Sequence, residues 1–195
     1  FLNTKLFKRV EAIYQQRDSL KLDPESKRLV EYYYQKFELA GANLSDADKE
    51  KLKKFNADEA SLSAKFNNKL LAAAKAGALV ISNKAELAGL PQGTIDAAAQ
   101  DAKAAKKDGK WLIPLQNTTQ QPALQSLSDR AVRQKLFEAS WTRAEKNDAN
   151  DTRSTIAQIA HIRAQKAQLL GFKSYAAWKL MDQMAKTPEA VNQFL

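Results

Sequence analysis

A single histidine, His161, and no cysteine in 195 residues set narrow limits on the metal and nucleophile chemistry this chain can perform. A catalytic zinc takes three protein ligands, drawn from His and carboxylates where thiols are absent. The helical solution places two imidazoles one turn apart on one face, with a Glu to polarise the bound water. One histidine excludes that arrangement within these residues. As a lone imidazole, His161 is a useful base only if a nucleophile and an orienting carboxylate converge on it. No nucleophile-elbow motif surrounds any serine. His161 lies in Ile159-Ala-His-Ile-Arg163 of a predicted helix and reads as a surface or interface residue. No catalytic and no metal-ligating residue is assigned, and substrate contacts stay unassigned.

Other polar groupings carry weaker signals. Asp148-Ala-Asn-Asp151 has the look of a calcium loop but lacks its central Gly, and Ile159 stands where the bidentate Glu belongs. Capping of a helix that begins near Asn150 or Asp151 explains these residues better. Gly89 and Gly93 flank Leu-Pro-Gln without the Gly-Lys pair of a phosphate loop. Glu145 with Asp148, or Asp182 with Glu189, could do acid–base work only in an apolar pocket, which nothing in the sequence points to. Arg163 shares a helix stripe with Ile156, Ile159, Ala167 and Leu170, where a partly buried ion pair or a carbonyl cap is expected ahead of a substrate-carboxylate contact. Tyr32-Tyr-Tyr34 and the Tyr175/Trp178 pair could stack on bases, but at helical spacing aromatics more often pack cores.

These side chains must be positioned by helices. Six Gly and five Pro among abundant Ala, Lys, Leu and Gln favour helix over sheet, and 44% hydrophobic residues suffice for a core. No apolar run reaches the length of about 20 residues that crosses a membrane. A net charge of +9 invites a phosphate-binding reading. The charges are mixed, however: residues 45–76 interleave seven Lys with five acids, the pattern of a solvated helix face. A first helix is expected over about 2–17, and a second from Asp23 (cap) and Pro24 to near Gly41. A long third helix follows from Ser45 to Ala76, capped by Ser45 with Asp48 and expected to lie antiparallel to the second along Leu52, Phe55, Leu62, Phe66 and Leu70. Residues 78–82 and 111–115 are β-prone and expected to pair as a small ribbon, with Pro114 marking an edge strand. An Ala-rich helix after Pro91 separates them. Residues 117–122 read as a polar loop, followed by helices of about 123–127, 129–145 and 150–170, the last stopped by Gly171. Thr187 and Pro188 start a final helix. The expected fold is mainly α, an elongated multi-helix bundle with a two-stranded β ribbon, a single helical region over residues 1–195. The first residue is not Met and the last helix has no stop signal, so both ends read as internal to a longer protein.

Several blocks in order carry a family resemblance. They are Asp129-Arg-Ala-Val-Arg-Gln-Lys-Leu-Phe137, Trp141-Thr-Arg-Ala-Glu145, Asn147–Asp151, Arg163-Ala-Gln-Lys-Ala-Gln-Leu-Leu-Gly171, Ser174-Tyr-Ala-Ala-Trp178 and Met184-Ala-Lys-Thr-Pro-Glu-Ala-Val191. Together they resemble the helical half of zinc metallopeptidases of the thimet oligopeptidase and neurolysin family. The segment Trp111-Leu-Ile-Pro-Leu-Gln-Asn-Thr-Thr-Gln-Gln-Pro122 is similar to the bacterial peptidyl-dipeptidase (dipeptidyl carboxypeptidase) branch. The resemblance implies a mainly helical enzyme with a deep channel, in which a His-Glu-x-x-His helix and a later Glu hold zinc. It would remove dipeptides from the C-termini of short peptides. None of those catalytic residues maps onto residues 1–195, which would form part of the channel wall, without zinc or activity of their own. The implied partners are the catalytic half of the same polypeptide and short peptides, with no nucleic acid or membrane. The implied parent is monomeric and cytoplasmic, with a periplasmic form left open. The rival reading is a free-standing basic helical module that binds RNA or an acidic protein.

Overall fold

The computed structural model describes all residues from Phe1 to Leu195: nine α-helices, a short 3-10 turn and one two-stranded sheet. The chain is mainly α, as expected. Its residues cluster into two compact units, one of Phe1–Leu62 with Gln158–Leu195, the other of Ser63–Ala157.

In the first unit, α1 (Thr4–Gln15) starts where the Leu6 N–H donates to Asn3 Oδ1 at 3.0 Å. The Ser26 N–H likewise donates to Asp23 at 3.0 Å, opening α2 (Pro24–Leu39) with proline in its first turn. The two helices run antiparallel. Phe7 and Phe37 are buried together, and the Tyr14 and Tyr34 rings stack at 3.8 Å. This aromatic seam gives α2 its partner, so the expected pairing of α2 with the long helix is corrected. That helix, α3 (Asp46–Ala76), is unbroken, and its Ser45 cap is present: the Asp48 N–H donates to Ser45 Oγ at 3.1 Å. Its first half lies antiparallel to the end of α7 (Arg153–Leu169), Glu59 opposite Arg163 and Leu52 near Leu170. Gly171, at φ 83°, stops α7, and the Phe172 N–H returns to the Ala167 carbonyl at 2.8 Å. Ser174 caps α8 (Tyr175–Leu180) and Thr187 caps α9 (Pro188–Phe194).

In the second unit, β1 (Leu79–Ile81) and β2 (Trp111–Ile113) pair antiparallel, Val80 opposite Leu112. Pro114 falls just beyond β2, where it interrupts no ladder bond. The helix α4 (Gln92–Ala104) packs on β2, while α5 (Asn117–Ser126) packs on α6 (Arg130–Trp141). Ile81, Leu87, Ile113, Leu127, Val132 and Leu136 form the core between them.

Three expectations give way here. Residues 117–122 are helical rather than a loop, because burial of Gln120, Ala123 and Leu127 outweighs the bond lost at Pro122. The Thr119 hydroxyl helps by donating to the Pro114 carbonyl at 2.6 Å. The next helix stops at Trp141, four residues early, and the Thr142 N–H and hydroxyl both donate to the Glu138 carbonyl, at 3.0 and 2.9 Å. Along α7, Ala167 is buried and Ile159 and Leu170 are partly buried as read, but Ile156 is 50% exposed whereas Thr155 is 1% exposed, so the stripe departs from the buried face in the first turn.

Candidate functional site

Two groupings of polar and aromatic side chains stand out, one in each unit. The first is built on Glu59 of α3. Arg163 and Lys166 are three residues apart on α7 and therefore project from one face. Arg163 Nε donates to Glu59 Oε1 at 2.7 Å and Lys166 Nζ to Oε2 at 2.6 Å. The Lys166 side chain is only 9% exposed. A buried ammonium without a partner is costly, so Glu59 is its counter-ion by necessity. Burial pushes the Glu59 carboxyl up, but the hydrogen bonds from Lys166 and Arg163 outweigh it and hold the group below the ordinary glutamate range. The Glu59 bond also raises the Arg163 guanidinium. The misfit charge of Arg163 is therefore an ion pair, although its side chain stays 40% exposed.

Two rings complete this cluster. Tyr175 and Trp178 meet edge to face at 5.6 Å, and the Trp178 indole N–H donates to the Leu39 carbonyl at 3.0 Å. The Arg163 guanidinium lies 5.0 Å from the Tyr175 ring centre, and Lys166 Nζ 5.6 Å from that of Trp178. Cations occupy these rings, which does not suit a platform for stacked bases. Tyr34 is taken up by Tyr14, and Tyr32 and Tyr33 meet edge to face on the surface rather than as a ladder.

The second grouping is a cleft of about 360 Å³ walled by Leu70, Trp141 and Ile156, with Arg143, Glu145 and Arg153 at its polar side. The loop 147–151 shapes it. Asp151 accepts from the Arg153 side chain, from the Arg153 N–H at 3.0 Å and from the Asn147 N–H at 2.9 Å. The Arg153 hydrogen bonds hold its carboxyl well below the usual carboxylate range. The loop residues thus cap and brace the start of α7. Ser140 Oγ accepts from Arg143 at 3.1 Å rather than facing an imidazole, so it is no activated nucleophile. An apolar wall beside guanidinium groups suits contact with an extended peptide, not bond-breaking.

The remaining candidates stay apart. His161 lies on an exposed face of α7. Asp148 accepts from the Asn150 N–H at 2.8 Å while Glu145 lines the cleft. Asp182 pairs with Lys36 at 2.6 Å, whose hydrogen bond lowers its carboxyl, and Glu189 sits in the first turn of α9. No three His, Asp or Glu side chains come together as candidate metal ligands. On α3, Lys51 pairs with Asp48 and Lys53 with Glu50, as a solvated mixed-charge face should. Glu59 and Lys166 escaped the sequence reading. The available signal was their spacing, a lone carboxylate on one apolar stripe and a lysine one turn beyond Arg163 on another.

Residues 123–195 match the family model described as Peptidase family M3. Over all 195 residues the chain is 58% identical to the dipeptidyl carboxypeptidase of Escherichia coli (strain K12), covering 29% of that protein. It is 52% identical to the dipeptidyl carboxypeptidase of Salmonella typhimurium (strain LT2), again over 29% of its length. Oligopeptidase A of Haemophilus influenzae is 31% identical over 87% of this chain and 25% of its own. The resemblance carried by the motif blocks is borne out, and the chain spans under a third of these relatives.

Proposed function

We propose that this chain is the non-catalytic helical portion of a zinc peptidyl-dipeptidase of Peptidase family M3, an enzyme that removes C-terminal dipeptides from short peptides. Identity of 58% and 52% with two dipeptidyl carboxypeptidases, spread over the whole chain, carries this reading. In the parent enzyme zinc supplies an activated water for peptide hydrolysis, held by residues outside these 195. The role of this portion is to form part of the substrate-channel wall. The cleft beside Trp141, Leu70 and Ile156 supports it, because apolar surface flanked by guanidinium groups can guide an extended chain without anchoring one sequence. The partners are then the catalytic portion of the same polypeptide and short peptides. The parent is read as a monomer of the cytoplasm, with a periplasmic form as the alternative. No helix here is long and apolar enough to cross a membrane.

The test compares this chain with the whole polypeptide on an N-acylated tripeptide. The whole polypeptide should release the C-terminal dipeptide in a chelator-sensitive reaction, and the 195-residue chain should release none. Hydrolysis by the chain alone, or a whole polypeptide that spares free C-termini, overturns the reading.

A further inference from the structure

The Glu59 cluster holds more positive charge than its carboxylate can answer. Lys179, on α8, places Nζ 4.0 Å from the Trp178 ring centre and 5.6 Å from that of Tyr175. Arg163 lies 5.0 Å from the same Tyr175 ring, so both cations border it. Glu59 is already used on both oxygens, by Arg163 and Lys166, and nearby Asp182 is used by Lys36. Lys179 itself makes no hydrogen bond or ion pair, and Arg163 spends only Nε, leaving its terminal nitrogens free. Three cations and two ring faces therefore surround one carboxylate.

The Lys179 side chain is exposed, yet its ammonium lies against two rings and beside two other cations without a counter-ion. Partial desolvation by those rings, then repulsion from Lys166, lowers the Lys179 ammonium below the ordinary lysine value despite the attraction of Glu59 and Asp182. A second anion would relieve that repulsion and accept hydrogen bonds from donors already in place. The rings bound the space with apolar surface, which suits a planar carboxylate on an apolar stem better than a heavily hydrated phosphate.

We infer that Lys179, with the free edge of Arg163 and the Tyr175 and Trp178 rings, forms a binding site for a carboxylate of a short peptide. That the carrier is a peptide rests on the proposed function; the preference for a carboxylate rests on the charge count and geometry alone. The carboxylate can come from a free C-terminus or from an Asp or Glu side chain.

The Trp178 indole N–H, fixed on the Leu39 carbonyl, is a local reporter in 1H–15N spectra, and Trp111 on β2, outside both this cluster and the cleft beside Trp141, serves as the internal control. The full 195-residue chain is titrated with acetyl-Ala-Ala-Phe as free acid, with its C-terminal amide, and with an amidated acetyl-Ala-Asp-Ala. Saturable movement of the Trp178 signal by the free acid, the Asp peptide or both supports the site and identifies the source. Lys179→Gln should weaken that binding about tenfold while the Trp178 signal keeps its hydrogen-bonded position. Equal movement by the plain amide, no movement by either acid, or unchanged affinity in Lys179→Gln overturns it. Binding is read on this chain without hydrolysis, so failure here leaves the peptidase reading standing, and an inactive parent enzyme leaves the carboxylate site standing.

Discussion

At the scale of single residues, Glu59 is the side chain on which most depends. It neutralises the buried Lys166 and the half-exposed Arg163 at once. Replacing it by glutamine keeps the shape but removes the charge and presents an amide donor to two cations. Glu59→Gln should cost on the order of 2 kcal/mol in urea unfolding, nearly all of it through Lys166, since solvent screens the Arg163 arm. The pH dependence follows from the direction of the shift. The folded carboxyl titrates below its unfolded value, so its stabilisation is full above the unfolded value of about 4.3 and disappears as the pH falls through the folded one. Asp182 and Asp151 act in the same sense. Stability of the wild-type chain should therefore fall on acidification below about pH 5. In Glu59→Gln that fall should be shallower, and equal slopes for the two proteins would remove Glu59 from the account. Arg163 was legible as a charge out of place on an apolar stripe. Its partner was not, because Glu59 lies 104 residues earlier and a sequence shows the misfit without the neighbour that answers it.

At the scale of elements, helix ends were the most legible part of the fold. Asp23 with Pro24, Ser45, Gly171, and Thr187 with Pro188 all act within a few residues, and their local chemistry suffices. The helix α5 was not legible, since Asn117-Thr-Thr-Gln-Gln-Pro122 is loop-like in composition and becomes helical through burial of its far face. Two glycines separate local from tertiary demands. Gly171, at φ 83°, has nothing within 4 Å of a built Cβ, so Gly171→Ala should cost only the left-handed backbone penalty of about 1–2 kcal/mol. Gly89, at φ 93°, would put a Cβ 2.0 Å from the Ser126 carbonyl oxygen at the end of α5. The backbone there is also tied by the Ser128 N–H to the Ala88 carbonyl at 2.8 Å, so it cannot simply retreat. Gly89→Ala should lose about 4 kcal/mol or more. Similar melting temperatures for the two variants would show that the α5 end yields freely.

At the scale of the whole molecule, the apolar content exceeds what the two units bury. Two compact bodies of half this mass would together expose about 11,000 Å². The chain exposes 13021 Å². Part of the difference is apolar: Trp141 is 74% and Phe137 52% exposed, their rings stacked at 5.6 Å on α6. The hydrophobic fraction read from the sequence correctly implied a core, but composition does not say how much of it stays outside. Surface of this kind drives association unless something covers it. The chain alone should therefore bind an apolar fluorescent dye and sediment with a mass that rises with concentration. Phe137→Ser with Trp141→Ser should reduce both effects while leaving the core of Leu127, Val132 and Leu136 intact, because neither ring belongs to it. In the whole polypeptide the dye signal per chain should fall if the proposed catalytic portion covers this face. A monomer at every concentration that ignores the dye would mean that the exposed rings are tolerated singly and require no covering partner.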